Sequence, residues 1–454
     1  MSNSRKLPAE FVARIVDQFP IDHQDLIQSL DQKPAASIRL NATREYNCID
    51  SGRVHWAQHG YVLHERPIFT LDPYFHTGAY YVQESSSMFV DHIMSELESK
   101  IELNSVLDLC ASPGGKSTIL LDHLNESQYL VANELIPNRN STLRENLTKW
   151  GKPNFLVSQN KVEDFRKLKN HFDLILVDAP CSGEGLFRKD ENARKEWKVE
   201  NLKICSERQL HILTNIWSSL ADGGYLIYST CTFNPDENET LLVAFKNLGF
   251  EFETESVFIE KEWNINVIEK DGILGYQFLP HRVIGEGFFC SILRKKGALL
   301  PKEIRPSKSF LHPELLNYLS PSDFINYSSF KFEKNHFLVA NCILDELYIY
   351  QKALYLRQIG IDVLTEKDAT ILPSHGLSFV PKISLDNGIE LDHIQALNYL
   401  SGKEIDVEVS VGIYLVTYDK FGLGFIEKSK DKITNHYPVS KRIKMEWQTI
   451  ISQR

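Results

Sequence analysis

Residues Phe172 to Gly185 read FDLILVDAPCSGEG, and their reading decides the fold. The apolar run Leu174 to Val177 is continuous rather than alternating, the pattern of a strand buried on both faces of a parallel sheet. The polar break after it leaves Asp178, Pro180 and Cys181 at the strand's carboxyl end, where open α/β sheets place their chemistry. Two further stretches share this design. Ser229-Thr230-Cys231-Thr232 follows the run Gly223 to Tyr228, and a glycine-rich turn, Asp108 to Ser117 (DLCASPGGKS), follows the strand Val106 to Leu109. Two thiols, a carboxylate and a tight turn at three strand ends define a candidate site.

Working outward, strands and helices alternate regularly. Strands are predicted at Val106–Leu109, Tyr129–Ala132, Phe155–Val157, Leu174–Val177 and Tyr225–Tyr228, with helices from Lys116, Asn138, Asn201 and Glu237. This is the signature of an α/β, Rossmann-like doubly wound sheet. Phe288 to Arg294 reads as a late strand closing that domain near Lys296. Before it, a helix is expected over 8–19 with Pro8 at its first position, then short strands at Ala36–Asn41 and Tyr61–Ile68, giving an N-terminal α+β domain over 1–98. Tyr80 and Tyr81 fit core packing and ligand contact equally well. The doubly wound domain is expected over 99–296, and a linker with a small α+β domain over 297–385. The linker is basic, and the small domain holds a helix at Glu346–Gln358. A last domain, 386–454, contains a glycine-marked β region from Gly412 to Tyr437.

Composition bounds the function. A chain of 454 residues exceeds one core, and 43% hydrophobic with 24% charged residues is the balance of an ordinary soluble protein. No apolar run approaches the roughly 20 residues of a membrane helix, and the start MSNSRKLPAEF lacks a secretory segment. A cytoplasmic monomer without membrane contact is the expectation. Seven cysteines, never spaced Cys-x-x-Cys, suggest free thiols rather than disulfides or zinc; Cys48, Cys205, Cys290 and Cys342 read as small buried hydrophobes. A net charge of −10 argues mildly against nucleic acid, but Lys428, Lys430, Lys432, Lys441, Arg442 and Lys444 form a local cluster that can meet phosphates. An ordinary solvated lysine face is the alternative.

The glycine turn limits the cofactor. A Walker loop needs glycine five positions before Gly115, where this chain has Cys110, and GxGxxG is absent. What remains is a strand–turn–helix in which Pro113, Gly114 and Gly115 let backbone approach a ligand. Glu134 follows the second strand, where doubly wound folds place a carboxylate on ribose hydroxyls. An adenosine-containing cofactor fits, and so does a plain structural turn.

The three motifs, DLCASPGGKS, VDAPCSGEG with Phe187-Arg188-Lys189-Asp190, and YSTCTFNPDENE, occur in the order found in the Sun-type RNA 5-methylcytosine methyltransferases, which this chain resembles. The likeness extends to Ser37–Asn41, to Tyr80–Glu84 and to Gly285–Phe289. Pro373-Ser374-His375, Gly422–Phe425 and Asn435–Pro438 are similar to the F-type bacterial small-subunit ribosomal RNA methyltransferases. The resemblance implies S-adenosylmethionine as cofactor, RNA as substrate and a C-terminal PUA-like β-barrel that binds RNA. It places the cofactor against Cys110, Ala111, Ser112, Pro113, Gly114, Gly115, Lys116 and Asp178, its carboxylate on Lys116 and its ribose on Glu134. Near the adenine, where the family usually has an acid, this chain has Asn160, with Asp164 as rival. Cys231 becomes the nucleophile, Cys181 the thiol that assists product release, and Asp178 the contact to the cytosine ring.

That chemistry needs a thiol. Carbon 5 of cytosine is a poor nucleophile until a thiolate has added at carbon 6, and the thiolate must later leave. Cysteine is apt because its thiolate is strongly nucleophilic and its pKa responds to surroundings. A methyltransferase for small molecules or proteins is one rival, although over half the chain lies outside the cofactor domain. A non-catalytic RNA-binding assembly factor is another, disfavoured by retention of both cysteines and Asp178.

Overall fold

The computed structural model describes residues 6–46, 51–300, 309–368, 370–386 and 388–451. Cys48 and much of the basic linker, 301–308, lie outside the described residues.

The N-terminal part begins with helix Ala9–Gln18, which Pro8 precedes as N-cap, and helix His23–Ser29. A four-stranded antiparallel sheet follows, formed by β1 (Ala36–Leu40), β2 (Ser51–Arg53), β3 (Gly60–Leu63) and β4 (Tyr80–Val82) in the order β2-β3-β1-β4. The strands predicted near 36–41 and 61–68 are present, the second ending at Leu63.

The centre is a ten-stranded sheet. Its strands are β5 (Ser105–Asp108), β6 (Tyr129–Asn133), β7 (Phe155–Ser158), β8 (Phe172–Asp178), β9 (Leu220–Thr230), β10 (Phe252–Thr254), β11 (Asn266–Lys270), β12 (Ile273–Phe278), β13 (Phe288–Lys295) and a late addition described below. Its order runs β11-β12-β13-β9-β8-β5-β6-β7, with β10 on β13. The five middle strands, β9-β8-β5-β6-β7, are parallel. Leu174, Ile175, Leu176 and Val177 of β8 are fully buried, each contributing about 1.5–3 kcal/mol relative to exposure. The chain leaves β5 to one side for β6 and β7, then returns to the other for β8 and β9. The crevice between the carboxyl ends of β5 and β8 is therefore the switch point where such sheets bind ligands. The hairpin β11–β12 carried no prediction; its weak alternation shows as a sheet only through pairing with β13.

The C-terminal part holds β14 (Tyr327–Phe332), β15 (Asn335–Ala340), β16 (Leu356–Ile359), β17 (Ile361–Lys367) and β18 (Thr370–Pro373), then β19 (Gly388–Glu390), β20 (Gly412–Tyr418), β21 (Phe421–Lys428) and β22 (Ile433–Asn435). The helix expected at Glu346–Gln358 lies at Asn341–Ala353 instead. It stops because Leu356–Ile359 leaves helical geometry to become β16, antiparallel to β7 at the edge of the central sheet. Strands β19 to β22 form the last sheet, with β20–β22 filling the glycine-marked region. Among the described residues, no helix is long and apolar enough to cross a membrane.

Candidate active site

The glycine turn leaves β5 and enters helix Gly115–Asp122 through Gly114, whose φ of 112° belongs to the left-handed region that favours glycine. At Gly115 a Cβ would lie 3.2 Å from the Tyr81 ring, so the turn sits close under β4. Its shape is fixed from outside. Ala111 N donates to Asn133 O at 2.9 Å, Ser112 Oγ to Arg139 O at 2.9 Å, and Asn146 Nδ2 to Pro113 O at 2.8 Å.

Beside the turn lies a cleft of about 170 Å³ lined by Gln83, Asp108, Cys110, Lys116 and Asp178, among others. Tyr81 forms part of its wall, whereas Tyr80 is buried in the core and donates to Asp72. Alternation along β4 thus splits the pair between the two readings. Lys116 Nζ donates to Asp178 Oδ2 at 2.9 Å and stands 5.3 Å from the Phe288 ring centre, while Ser229 Oγ donates to Asp178 Oδ1 at 2.8 Å. Burial lowers the Lys116 pKa, but the adjacent Asp178 outweighs it, and the net shift is upward. Asp108 is buried at the foot of the cleft, one oxygen accepting from Ser117 Oγ at 2.7 Å, and burial lifts its carboxyl to about 7. Burial also pushes the Cys110 thiol up.

On the other side of Asp178, the two strand-end thiols meet. Cys181 Sγ and Cys231 Sγ are 3.1 Å apart, and Cys231 N points at Cys181 Sγ from 3.4 Å. Both are free and half-buried. The contact with Cys231, together with burial, holds the Cys181 thiol protonated well above its ordinary range.

Two carboxylates that carried no prediction hold these loops. Glu184 Oε2 accepts from Thr232 Oγ1 at 2.9 Å and Phe233 N at 3.2 Å, and Oε1 from Trp197 Nε1 at 3.1 Å. Burial raises its carboxyl to about 7. Glu237 Oε2 accepts from Ser182 N at 2.9 Å and from Gln209 Nε2 at 2.8 Å. Each acid joins the Cys181 loop to the Cys231 loop. The available signal was proximity: Glu184 stands three residues after Cys181, and Glu237 six after Cys231. Gly185 N donates to Cys231 O at 2.9 Å, and Gly185 abuts Gly287. Glu286 of that third loop pairs with Arg188 at 2.9 Å, and Glu84 accepts from Glu286 N at 2.8 Å. The N-terminal helices close over the same loops, with Arg14 donating to Asn234 and Gln18 to Phe233 O, each at 2.6 Å.

Glu134 stands at the end of β6, buried, with Oε1 accepting from Ile136 N at 2.8 Å and Oε2 3.4 Å from Arg139 Nε. Asn160 lies past β7. Its Oδ1 accepts from Tyr355 N at 2.9 Å, and its Nδ2 donates to Asp164 Oδ2 at 3.1 Å, so the two residues weighed for the adenine are bonded to each other. Neither Glu134 nor Asn160 lines the 170 Å³ cleft. Of the other cysteines, Cys290 is buried in the core, while Cys205 and Cys342 are half-buried. In the basic cluster Lys430, Lys432 and Lys444 are exposed, and Lys441 pairs with Glu145 at 3.5 Å.

A parallel array reversed at β5, with a left-handed glycine opening its first helix, is the frame of a nucleotide-type cofactor site, and the family matches make it that of an S-adenosylmethionine-dependent methyltransferase. Residues 96–294 match the family of 16S rRNA methyltransferase RsmB/F, 7–85 the N-terminal domain of 16S rRNA methyltransferase RsmF, and 386–443 the methyltransferase RsmF PUA domain. The chain carries the catalytic, N-terminal and PUA domains of these methyltransferases. The ribosomal RNA small subunit methyltransferase F of Shewanella loihica is 28% identical over 380 residues, covering 80% of this chain and 77% of its own. That of Vibrio vulnificus (strain YJ016) is 31% identical over 314 residues, 65% of each chain. NSun6 from Pyrococcus horikoshii, solved with SFG, shares the fold with a TM-score of 0.54 at 18% identity, covering 65% of this chain and 100% of its own.

Proposed function

We propose that this protein methylates carbon 5 of a cytosine in small-subunit ribosomal RNA through a covalent adduct with Cys231. The observation that carries the reading is the pair of thiols 3.1 Å apart beside the Lys116–Asp178 cleft. The relatives' names supply the RNA class.

The residues present fit the cofactor: a backbone turn with no Cβ at Gly114 and Gly115, a cation at Lys116, and a carboxylate at Glu134. In this reading Cys110 to Lys116 cradle S-adenosylmethionine, Lys116 meets its carboxylate and Glu134 its ribose, with Asn160 and Asp164 at the adenine side. When bound, it supplies an electrophilic methyl group. Cys231 adds as thiolate to carbon 6 of the cytosine, which makes carbon 5 electron-rich. Asp178, fixed by Lys116 and Ser229, steadies the negative charge that develops in the ring by sharing a proton with the ring nitrogen. After methylation the carbon 5 proton passes to water, its C–H pair closes the carbon 5–carbon 6 double bond, and the carbon 6–sulfur pair leaves with sulfur as the Cys231 thiolate. Cys181, held protonated beside it, is placed to give that sulfur a proton. The N-terminal sheet and the PUA domain grip the RNA around the site, and the protein works as a cytoplasmic monomer.

Cys231→Ala is expected to abolish methylation of small-subunit RNA and to form no adduct. Cys181→Ala should attack and methylate but remain attached, giving a protein–RNA complex that survives denaturing electrophoresis and disappears when Cys231 is also replaced. A trapped complex from Cys231→Ala instead would exchange the two roles, and adducts from neither variant, with wild-type activity and folding intact, would remove the covalent mechanism.

A further inference from the structure

The loops that carry Cys181 and Cys231 leave neighbouring parallel strands and are tied together on both sides of the thiols. Ala179 N donates to Ser229 O at 2.8 Å, the hydroxyls of Ser182 and Thr232 are 2.9 Å apart, and Gly185 N donates to Cys231 O at 2.9 Å. Between these ties the two sulfurs face each other at 3.1 Å, and Cys231 N donates to Cys181 Sγ at 3.4 Å. Glu184 and Glu237, each bonded to the loop opposite its own, hold the backbones at that spacing. A disulfide needs about 2.05 Å between sulfurs, so roughly 1 Å of side-chain movement would close the bond without moving the main chain.

Neither thiol is sealed in the core. Both are free and half-buried, whereas Cys290 is fully buried. A small oxidant that enters the site therefore meets two sulfurs already in contact. An accessible thiolate climbs from sulfenic to sulfinic and sulfonic acid unless a second thiol captures it at the first stage. Cys181 stands where that capture takes place.

We propose that the thiol pair is a reversible oxidation site for hydroperoxides, with Cys181 as the resolving thiol, and that the Cys181–Cys231 disulfide switches methylation off. With hydrogen peroxide, the Cys231 thiolate attacks one oxygen: the sulfur–oxygen bond forms, the oxygen–oxygen bond breaks, and hydroxide leaves. The sulfur is oxidised by two electrons to a sulfenic acid and the peroxide is reduced. Cys181 then attacks the Cys231 sulfur. The disulfide forms, the sulfur–oxygen bond breaks, and the departing hydroxide takes the Cys181 proton as water. A dithiol reductant reverses the change by exchange. That the bond silences the enzyme rests on the reading of Cys231 as nucleophile; that the bond forms does not.

The test treats the full wild-type chain with a small excess of hydrogen peroxide and divides the product into portions with and without dithiothreitol. Before reduction the chain should be lighter by two hydrogens, yield a linked peptide pair containing Cys181 and Cys231, and fail to methylate small-subunit RNA. Reduction should restore the untreated rate. Under the same treatment Cys181→Ala should collect sulfinic or sulfonic acid on Cys231, which dithiothreitol does not remove. Oxidation of Cys231 in the wild-type chain without a link to Cys181 would overturn the proposal. So would a linked chain that methylates at the untreated rate. An untreated chain that does not methylate RNA would overturn the functional reading instead, and the peptide map would still decide whether the bond forms.

Discussion

The glycine turn and the thiol pair occupy neighbouring strand ends, yet they are held by different means. The turn is set by backbone: a left-handed Gly114, a crowded Gly115, and main-chain oxygens or nitrogens anchored by Asn133, Ser112, Arg139 and Asn146. The thiols are set by buried side chains that span the two loops, Glu184 and Glu237 above all, and by the fit of Gly185 against Cys231 and Gly287. A backbone-built site tolerates exchange of many side chains. A site tied by buried carboxylates does not, because removing one partner leaves the others unsatisfied at a cost of roughly 1–3 kcal/mol each.

The largest effect should come from closing the space between the loops. A Cβ at Gly185 would lie 2.5 Å from Gly287 O and 2.9 Å from Cys231 O, all backbone and unable to swing aside. Gly185→Ala should cost about 3 kcal/mol in denaturant unfolding and lower kcat about a hundredfold through displacement of Cys231; near-wild-type values for both would show that the loops are more pliant than their packing.

Glu184 gives an intermediate test. Its carboxyl rises from 4.5 to about 7 on folding through burial. A group whose pKa is raised in the folded state contributes stability that is complete below about 4.5 and is lost as pH climbs through 7. Glu184→Gln cannot titrate. Its melting temperature should therefore gain on wild type between pH 5 and 8, by the equivalent of on the order of 2 kcal/mol. Parallel pH profiles would mean that Glu184 does not change protonation on folding.

The smallest effect belongs to the cofactor side. Glu134→Ala should weaken S-adenosylmethionine binding about tenfold in calorimetry, the loss of hydrogen bonds to a charged acceptor, with the thiol loops untouched. Unchanged affinity would remove Glu134 from the ribose and leave it as the partner of Ile136 N and Arg139 alone.

This difference in construction also explains what could be read in the chain. Leu174 to Val177 followed by Asp178, and the cysteine after Thr230, announce themselves because burial and strand ends leave local patterns. Glu184 does not, since its meaning depends on Thr232 and Phe233, 48 and 49 residues away. Asn160 is subtler still, its oxygen engaged by Tyr355 N from 195 residues on. Tyr80 and Tyr81 divide between core and cleft by strand alternation, a fact fixed only once β4 pairs with β1. Misplacement of the helix now at Asn341–Ala353 has the same origin. Leu356–Ile359 continues a plausible helical run in isolation and becomes a strand through β7, some two hundred residues earlier.

That late strand does more than lengthen the sheet. Without β16 the parallel array would end at β7, whose Phe155, Leu156 and Val157 are fully buried and whose outer N–H and C=O groups now meet Leu356 to Gly360. A bare, apolar strand edge is a template for pairing with other chains. The segment after the cofactor domain is therefore a guard against self-association. Cutting the chain at 296 would leave every residue of the thiol pair and the glycine turn in place, and would turn an enzyme core into an adhesive surface.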